Sequence, residues 1–283
     1  MDLEALKAHR FEPKRLRYDF KDTILYALSI GVGDDPLDAK QLRLTYEKQL
    51  VALPSMAAVL AHPGAWIANP QFQVNFLKLL HGEQNLIVHK SLPAEGEIEA
   101  TYRIAAVVDK GADKGALVYF EKVLSEAGSR QTLCTVSSTL FLRSDGGCGS
   151  FGTPPPALPA EVPGTPTVTA ELTTSVSAAL LYRLNGDLNP IHVDPTAASR
   201  AGFERPILHG LCTYGIVGYL LTRAVCGSDP ARLRSLGARF SSPVFPGETI
   251  RVEGVEVAGG VHFRALVPSR NQVVLSQGFA AIG

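Results

Sequence analysis

PILHGLCTYGIVGYLLT, residues 206–222, is the longest uncharged apolar run of the chain, and its surroundings decide the fold. Its 17 residues sit at the lower limit for crossing a bilayer, include a proline, a histidine and two tyrosines, and end at Arg223. The run therefore reads as a buried core helix of about 208–226. Four strand-like runs follow it: LRSLGARFSSPVF (233–245), TIRVEGVEVA (249–258), VHFRALVPS (261–269) and QVVLSQGFAAI (272–282). Ahead of it, a helical TSVSAALLYRLNG (174–186) leads into a polar loop. The N-terminal half repeats this order. A helical FKDTILYALSIGVG (20–33) and an amphipathic QLRLTYEKQL (41–50) precede NLIVHKSL (85–92), EIEATYRIAAVVDKG (97–111), GALVYFEKVLS (115–125) and RQTLCTVSSTLFLR (130–143). Glycine-containing turns between these runs suit an antiparallel meander. YALSIGVGDDP at 26–36 and YRLNGDLNP at 182–190 even share a trace of sequence. The pattern predicts an α+β chain of two units, each a helix packed on an antiparallel sheet.

Between the units lies SDGGCGSFGTPPPALPAEVPGTP (144–166), whose consecutive prolines favour an extended spacer. The expected division is 1–145, a linker at 146–166, and 167–283. A length of 283 residues suits two domains, and 46% hydrophobic with 19% charged residues suits folded cores. Lys+Arg and Asp+Glu both total 27, so no net field draws the chain onto phosphate backbones, and nucleic-acid binding is not expected. All 10 lysines fall within residues 1–150, whereas the remainder carries arginine alone, a difference of chemistry and not of field. Four cysteines, at 134, 148, 212 and 226, form no C-x-x-C and are too few for a disulfide framework. The N-terminus shows no signal-like apolar stretch, no membrane span is expected, and the C-terminal FAAIG is not a peroxisomal S-K-L address. These features predict a cytoplasmic protein with reduced thiols.

Chemistry concentrates in YRLNGDLNPIHVDPTAASRAGFERPILHGLCTYG (182–215). Asp187 and His192 lie five apart, a spacing that a continuous helix would put on different faces. Pro190 breaks such a helix and biases Asn189 towards an extended form, so a bend can bring carboxylate and imidazole to one small volume. An acid and a base flanking one water suit proton transfer to and from carbon. The plainer alternative is that Asp187 merely ends a helix and His192 sits in a turn. Asp187, Asn189, His192 and Asp194 match neither H-E-x-x-H nor an EF-hand loop, so no metal is expected. Cys212, three residues beyond His209 in the apolar helix, reads as a small buried hydrophobe in preference to a nucleophile. Gly210 falls in the first turn of that helix, where amides lack intrahelical partners and can stabilise an oxyanion. Close packing of Gly210, Gly215 and Gly218 against a sheet is the other use for these glycines, and the two roles are compatible.

The run YRLNGDLNPIHVDP, followed by GFERPILHGLCTYG, resembles the hydratase 2 motif of the MaoC-like (R)-specific enoyl-CoA hydratases. ARFSSPVFPGET (238–249) is similar to that family's A-R-F-x-x-P-V-F-P-G-E-T, while YALSIGVG (26–33) and the TYE…LP of 45–54 resemble the N-terminal half of its two-domain members. The likeness reaches nearly the whole chain. It implies a double hot-dog fold, in which a curved antiparallel sheet wraps a central helix in each half of a pseudo-dimeric chain. It further implies a catalytic C-terminal half and a non-catalytic N-terminal half that makes room for the acyl chain. Consistently, the first half has no D-x-N-x-x-H, and GVGDDPLDAKQ (31–41) contains no histidine. The implied reaction adds water reversibly to a trans-2-enoyl thioester, giving the (3R)-3-hydroxyacyl-CoA. Asp187 and His192 would hold the water and share the proton steps, Asn189 would orient it, and the Gly210 amide would receive the thioester oxygen. Glu47 aligns with a family glutamate near the site and is carried as a supporting residue. Arg200, Arg205 and Arg239 are candidates for the CoA phosphates, which suit the planar arginine fork. Acyl-CoA is the expected partner, no cofactor is expected beyond that thioester, and the assembly expected is a homodimer. The alternatives are a dehydratase of fatty-acid synthesis, a hot-dog thioesterase and a non-catalytic acyl-CoA-binding subunit.

Overall fold

The computed structural model describes residues 1–160 and 164–283. Along the chain run α1 (Leu3–Ala8), β1 (Lys14–Tyr18), α2 (Phe20–Ser29), α3 (Ala39–Thr45), β2 (Leu79–Val88), β3 (Gly96–Asp109), β4 (Ala116–Glu126), β5 (Thr132–Leu142) and β6 (Phe151–Gly152). The second half holds β7 (Val168–Thr173), α4 (Ala178–Tyr182), α5 (Pro195–Arg200), α6 (Gly210–Val225), β8 (Leu233–Phe240), β9 (Thr249–Val257), β10 (Gly260–Val267) and β11 (Gln272–Ile282). Apolar alternation along β4 and β5 buries one face of each, as a half-wetted antiparallel sheet requires. Asp19 opens α2 with a capping box, accepting from the Lys21 amide while Asp22 accepts from the Asp19 amide.

All strands join one sheet, ordered β1-β3-β4-β5-β2-β8-β11-β10-β9-β7, with β6 added beside β3. Counted within its own half, each strand of the second unit takes the place of its counterpart in the first. The two units therefore share one strand order and meet edge to edge, which is the double hot-dog arrangement expected above. At the seam, β2 and β8 pair antiparallel from Glu83↔Arg239 to Ile87↔Ser235. Leu86 and Leu236 face each other there, fully buried. On the apolar helix α6 every residue from Cys212 to Thr222 is buried, so it lies inside the wrapped sheet. Its N-terminal counterpart is far shorter: between α3 and β2 the described residues form a buried 3₁₀ turn, Pro54–Ala58, and three further 3₁₀ turns of three residues each.

Several boundaries differ from expectation. β2 begins at Leu79, six residues ahead of the predicted run, because Leu79–His81 continue the pairing with β5. The helix predicted over 174–186 reduces to α4 and a 3₁₀ turn, Arg183–Asn185. The linker expected from 146 is partly built into the N-terminal sheet, since Phe151 and Gly152 pair with Val107 and Ala106. Only glycine fits at 152, where φ is +73° and a Cβ would lie 2.2 Å from the Ala105 carbonyl oxygen. Leu158 then covers the outer side of the seam, its Cδ2 3.0 Å from where a Cβ on Gly237 would stand. Residues 161–163 of the expected linker lie outside the described residues. Among the described residues, no helix is long and apolar enough to cross a membrane.

The two halves also interlock through their helices. A Cβ on Gly215 of α6 would lie 2.7 Å from the Tyr26 hydroxyl oxygen and 2.9 Å from Ile30 Cγ2, both fully buried N-terminal residues. In an open helix interior, Gly→Ala would gain about 1 kcal/mol. Here the overpacking, which typically costs about 1–3 kcal/mol, outweighs that gain. Gly215→Ala is expected to lower stability in urea unfolding, and a more stable variant would show that Tyr26 gives way freely.

Candidate active site

Gly186 sets the site's geometry. Its left-handed backbone, φ +113°, ends the turn Arg183–Asn185 and turns the chain outward at Asp187. Two side-chain turns follow. Asp187 Oδ1 accepts the Asn189 amide at 3.1 Å, and Asn189 Oδ1 accepts the Ile191 amide at 3.2 Å, starting the 3₁₀ turn Pro190–His192. The bend expected from Pro190 is thus present, and it folds His192 back towards Asp187. The Asn189 side-chain oxygen is engaged with backbone, so this residue shapes the turn that carries His192.

His192 is buried, and its Nδ1 donates to the Ile207 carbonyl at 2.9 Å. That bond selects the tautomer whose lone pair is on Nε2. His209, the residue before α6, donates from Nε2 to the backbone carbonyl of Asp187 at 3.1 Å. The two imidazoles stack with centroids 3.7 Å apart and planes 24° apart. Ligand-capable atoms of Asp187, His192 and His209 lie within 4.8 Å of one another. Stacked rings run their in-plane lone pairs side by side, so one cation cannot meet both rings in plane. The arrangement suits hydrogen bonding better than chelation.

Burial lowers the proton affinity of His192, against the opposing pull of the Ile207 carbonyl and the Asp187 charge. Burial first, and then the neighbouring His192, bring His209 down to about 4. Both rings are accordingly neutral near pH 7. Beside them α6 begins at Gly210, with no side-chain cap from His209, so its first amides point outward at the positive end of the helix dipole. The Phe240 ring closes one side of that position, with Cε1 3.2 Å from where a Gly210 Cβ would lie.

His209 is the residue that sequence reasoning missed, having been weighed only as a partner for Cys212. Cys212 is fully buried, its thiol donates to the Ser29 carbonyl at 3.5 Å, and burial pushes its proton affinity up. The available signal was the L-H-G triplet at a helix start, where a side chain ahead of the first turn can reach back to the preceding loop.

The supporting residues are more scattered. Glu47 is exposed on the turn after α3, and among the described residues no hydrogen bond or ion pair joins it to Asp187, His192 or His209. Arg200 is exposed at the end of α5. Arg205 lies 3.7 Å from Glu204 and stacks over the Phe245 ring at 4.7 Å. Arg239 is turned to Glu83 across the seam, with Nε 3.0 Å from Oε1, so much of its charge is already answered. It joins the halves, which is a different use from the phosphate contact expected of it.

Residues 16–144 match the MFE-2 hydratase 2 N-terminal domain and residues 159–275 the MaoC like domain. The chain is 35% identical to "Enoyl-CoA hydratase 2, peroxisomal" of Arabidopsis thaliana, over 96% of this chain and 93% of that one. It is 37% identical to "3-hydroxyacyl-thioester dehydratase Y" of Mycobacterium tuberculosis, over 84% and 82% of the two chains. Among solved structures, the MaoC-like dehydratase from Phytophthora capsici superposes with a TM-score of 0.87 at 30% identity, covering 100% of this chain and 99% of that one. A Mycobacterium tuberculosis protein described as a double hotdog fold superposes with a TM-score of 0.55 at 14% identity, a likeness in fold alone, over 98% of this chain and 97% of the other.

The neutral histidines give a pH test. In the unfolded chain an imidazole takes its proton near 6.5, whereas His209 and His81 in the fold do so at about 4. Stability is then complete above about pH 6.5 and falls as pH drops towards 4, because the unfolded state binds the extra protons. The melting temperature should decline from pH 7 to pH 5, above the range where ordinary carboxylates titrate. A flat profile there would contradict the neutral burial of these rings.

Proposed function

This chain belongs to the MaoC-like dehydratase family in its hydratase 2 form, and from that membership we propose that it adds water reversibly across trans-2-enoyl-CoA to give the (3R)-3-hydroxyacyl-CoA. What supports this reading is the gathering of Asp187, His192 and His209, whose ligand-capable atoms lie within 4.8 Å of one another, directly ahead of a helix that begins at Gly210.

In this reading a water donates its two hydrogens to Asp187 and to His192 Nε2, leaving an oxygen lone pair for carbon 3. As that C–O bond forms, the π electrons move through carbon 2 onto the thioester oxygen, which the Gly210 amide stabilises. The base that took the water proton returns it to carbon 2 on the same face, so one water is added syn and all atoms balance. Neutral His192 is suited to the accepting role, and the imidazolium it forms faces the Asp187 carboxylate. His209 holds Asp187 in place through the backbone. Run in reverse, the same steps dehydrate a 3-hydroxyacyl thioester, the chemistry named for the mycobacterial relative. Only the thioester substrate is needed; no cofactor enters any step.

The N-terminal half, with a five-residue turn where the C-terminal half has a sixteen-residue helix, is assigned to the acyl chain. Arg200 and Arg205 remain as candidates for the CoA phosphates. The cytoplasm is the compartment we assign, in keeping with four free cysteines, although relatives carry the word peroxisomal in their names. Val176, Leu180, Leu184 and Leu188, exposed along one stretch, offer an apolar surface for a homodimer. Light scattering should give twice the chain mass, and a monomer at micromolar concentration would remove that assignment.

The activity is tested by hydration of crotonyl-CoA with chiral analysis of the product. Asp187→Asn and His192→Ala should each lower kcat by at least about a hundredfold, the usual worth of a positioned acid–base group. The double variant should lose much less than the product of the single losses, because both residues act on one water. Near-normal turnover in either folded variant would remove that residue from the mechanism.

A further inference from the structure

The bond that selects the His192 tautomer does not end at its acceptor. The Ile207 carbonyl, which takes the Nδ1–H at 2.9 Å, belongs to the same planar peptide unit as the Leu208 N–H. That N–H donates to the Val244 carbonyl at 2.7 Å. The Val244 carbonyl in turn shares a peptide unit with the Phe245 N–H, which donates to Oε2 of Glu248 at 2.8 Å. Three hydrogen bonds and two peptide planes therefore run in one direction, from the imidazole to a carboxylate.

The far end of this relay is an anchor. Arg270 grips both oxygens of the nearly buried Glu248, Nε to Oε1 at 2.6 Å and Nη2 to Oε2 at 2.9 Å. The same Nη2 donates to the Pro243 carbonyl at 2.9 Å. Arg205 and Arg270 both lie over the Phe245 ring, at 4.7 and 5.4 Å from its centroid. The Glu248 carbonyl accepts from the Thr174 amide and hydroxyl, and the hydroxyl oxygen accepts the Gly247 amide at 2.9 Å. Burial opposes charge on Glu248, but Arg270, the Phe245 amide and the nearby Arg205 together hold its carboxyl below the usual carboxylate range. The relay thus ends on a fixed negative charge. Hydrogen bonds in series polarise one another, so that charge strengthens each bond back to the imidazole.

We propose that Glu248 is a positioning residue for His192. It acts through the Val244–Phe245 and Ile207–Leu208 peptide units, holding the Nδ1–H tautomer and making Nε2 a better proton acceptor. This assignment rests on reading Asp187 and His192 as the acid–base pair of an enoyl-thioester hydratase. A carboxylate bonded directly to Nδ1 would favour a charged ring, whereas two intervening peptide units pass on a weaker pull and leave the ring neutral.

The test reads the His192 Nδ1–H resonance in protein labelled with nitrogen-15 at histidine, assigned by its loss in His192→Ala. Glu248→Gln removes the charge while keeping an oxygen for the Phe245 amide, and the resonance should move upfield. Arg270→Met leaves the Glu248 charge without its ion-pair partner, and the resonance should move downfield. A turn that merely packs would loosen in both variants and move the signal the same way. With crotonyl-CoA, Glu248→Gln should lower kcat about threefold to tenfold, the span of one modest hydrogen bond, and leave KM nearly unchanged. Should either variant melt below the measuring temperature, the other decides by the direction of its own shift. A resonance unmoved in a folded variant, or moved the same way by both, overturns the proposal, and so does wild-type kcat in Glu248→Gln. Opposite shifts in a protein that fails to hydrate crotonyl-CoA would keep the relay and overturn the hydratase reading.

Discussion

Five residues of β2, Glu83 to Ile87, run antiparallel to five residues of β8, Arg239 to Ser235, and the molecule is organised about that pairing. Each half alone would leave a long edge strand with unpaired backbone groups, which sheets rarely tolerate in the open. Joined, the edges satisfy one another, and Leu86 and Leu236 close the core beneath them. The Glu83–Arg239 ion pair is half exposed and adds little by itself, so the backbone ladder and the buried leucines hold the seam. The same pairing decides where the chemistry stands, because Phe240 ends β8 beside Gly210.

Within the site, neutrality is achieved by burial and direction by backbone carbonyls. His192 and His209 each give one N–H to a carbonyl, from Ile207 and Asp187 respectively, so neither ring is free to turn. Stacking at 3.7 Å adds a further cost to charging either ring, since protonating one acts on the other. The loop bearing Asp187 is therefore clamped from the start of α6, although it is itself exposed. An exposed carboxylate thus stands beside a buried imidazole.

Much of this was legible in the chain itself. The apolar run at 206–222 became α6, most of the predicted strands appeared with small shifts at their ends, and Pro190 announced the bend that joins Asp187 to His192. What escaped notice depends on non-local partners. β1 and β7 are short and five or six residues long, and they become strands only because β3 and β9 offer them an edge. His209 gave no periodic signal, since its role is to reach across 22 residues to a backbone atom. Arg239 lay beside a motif and invited a phosphate role, but its partner Glu83 is 156 residues away in the sequence. Glu47 lies on the surface, and among the described residues no hydrogen bond or ion pair joins it to Asp187, His192 or His209.

The segment from Phe151 to Leu158 first pairs with β3 and then crosses the outer side of the seam. It is thus a tether whose ends are fixed on both partners, and its physical effect is on concentration. Two separate units would have to find each other by diffusion, and each would need a surface complementary to its own copy. A tethered pair is always in contact, so the requirement for self-complementarity lapses and each unit is free to change alone. One unit can then keep its long helix and the Asp187–His192 pair, while the other shortens that helix. The asymmetry of the active site is a consequence of the tether.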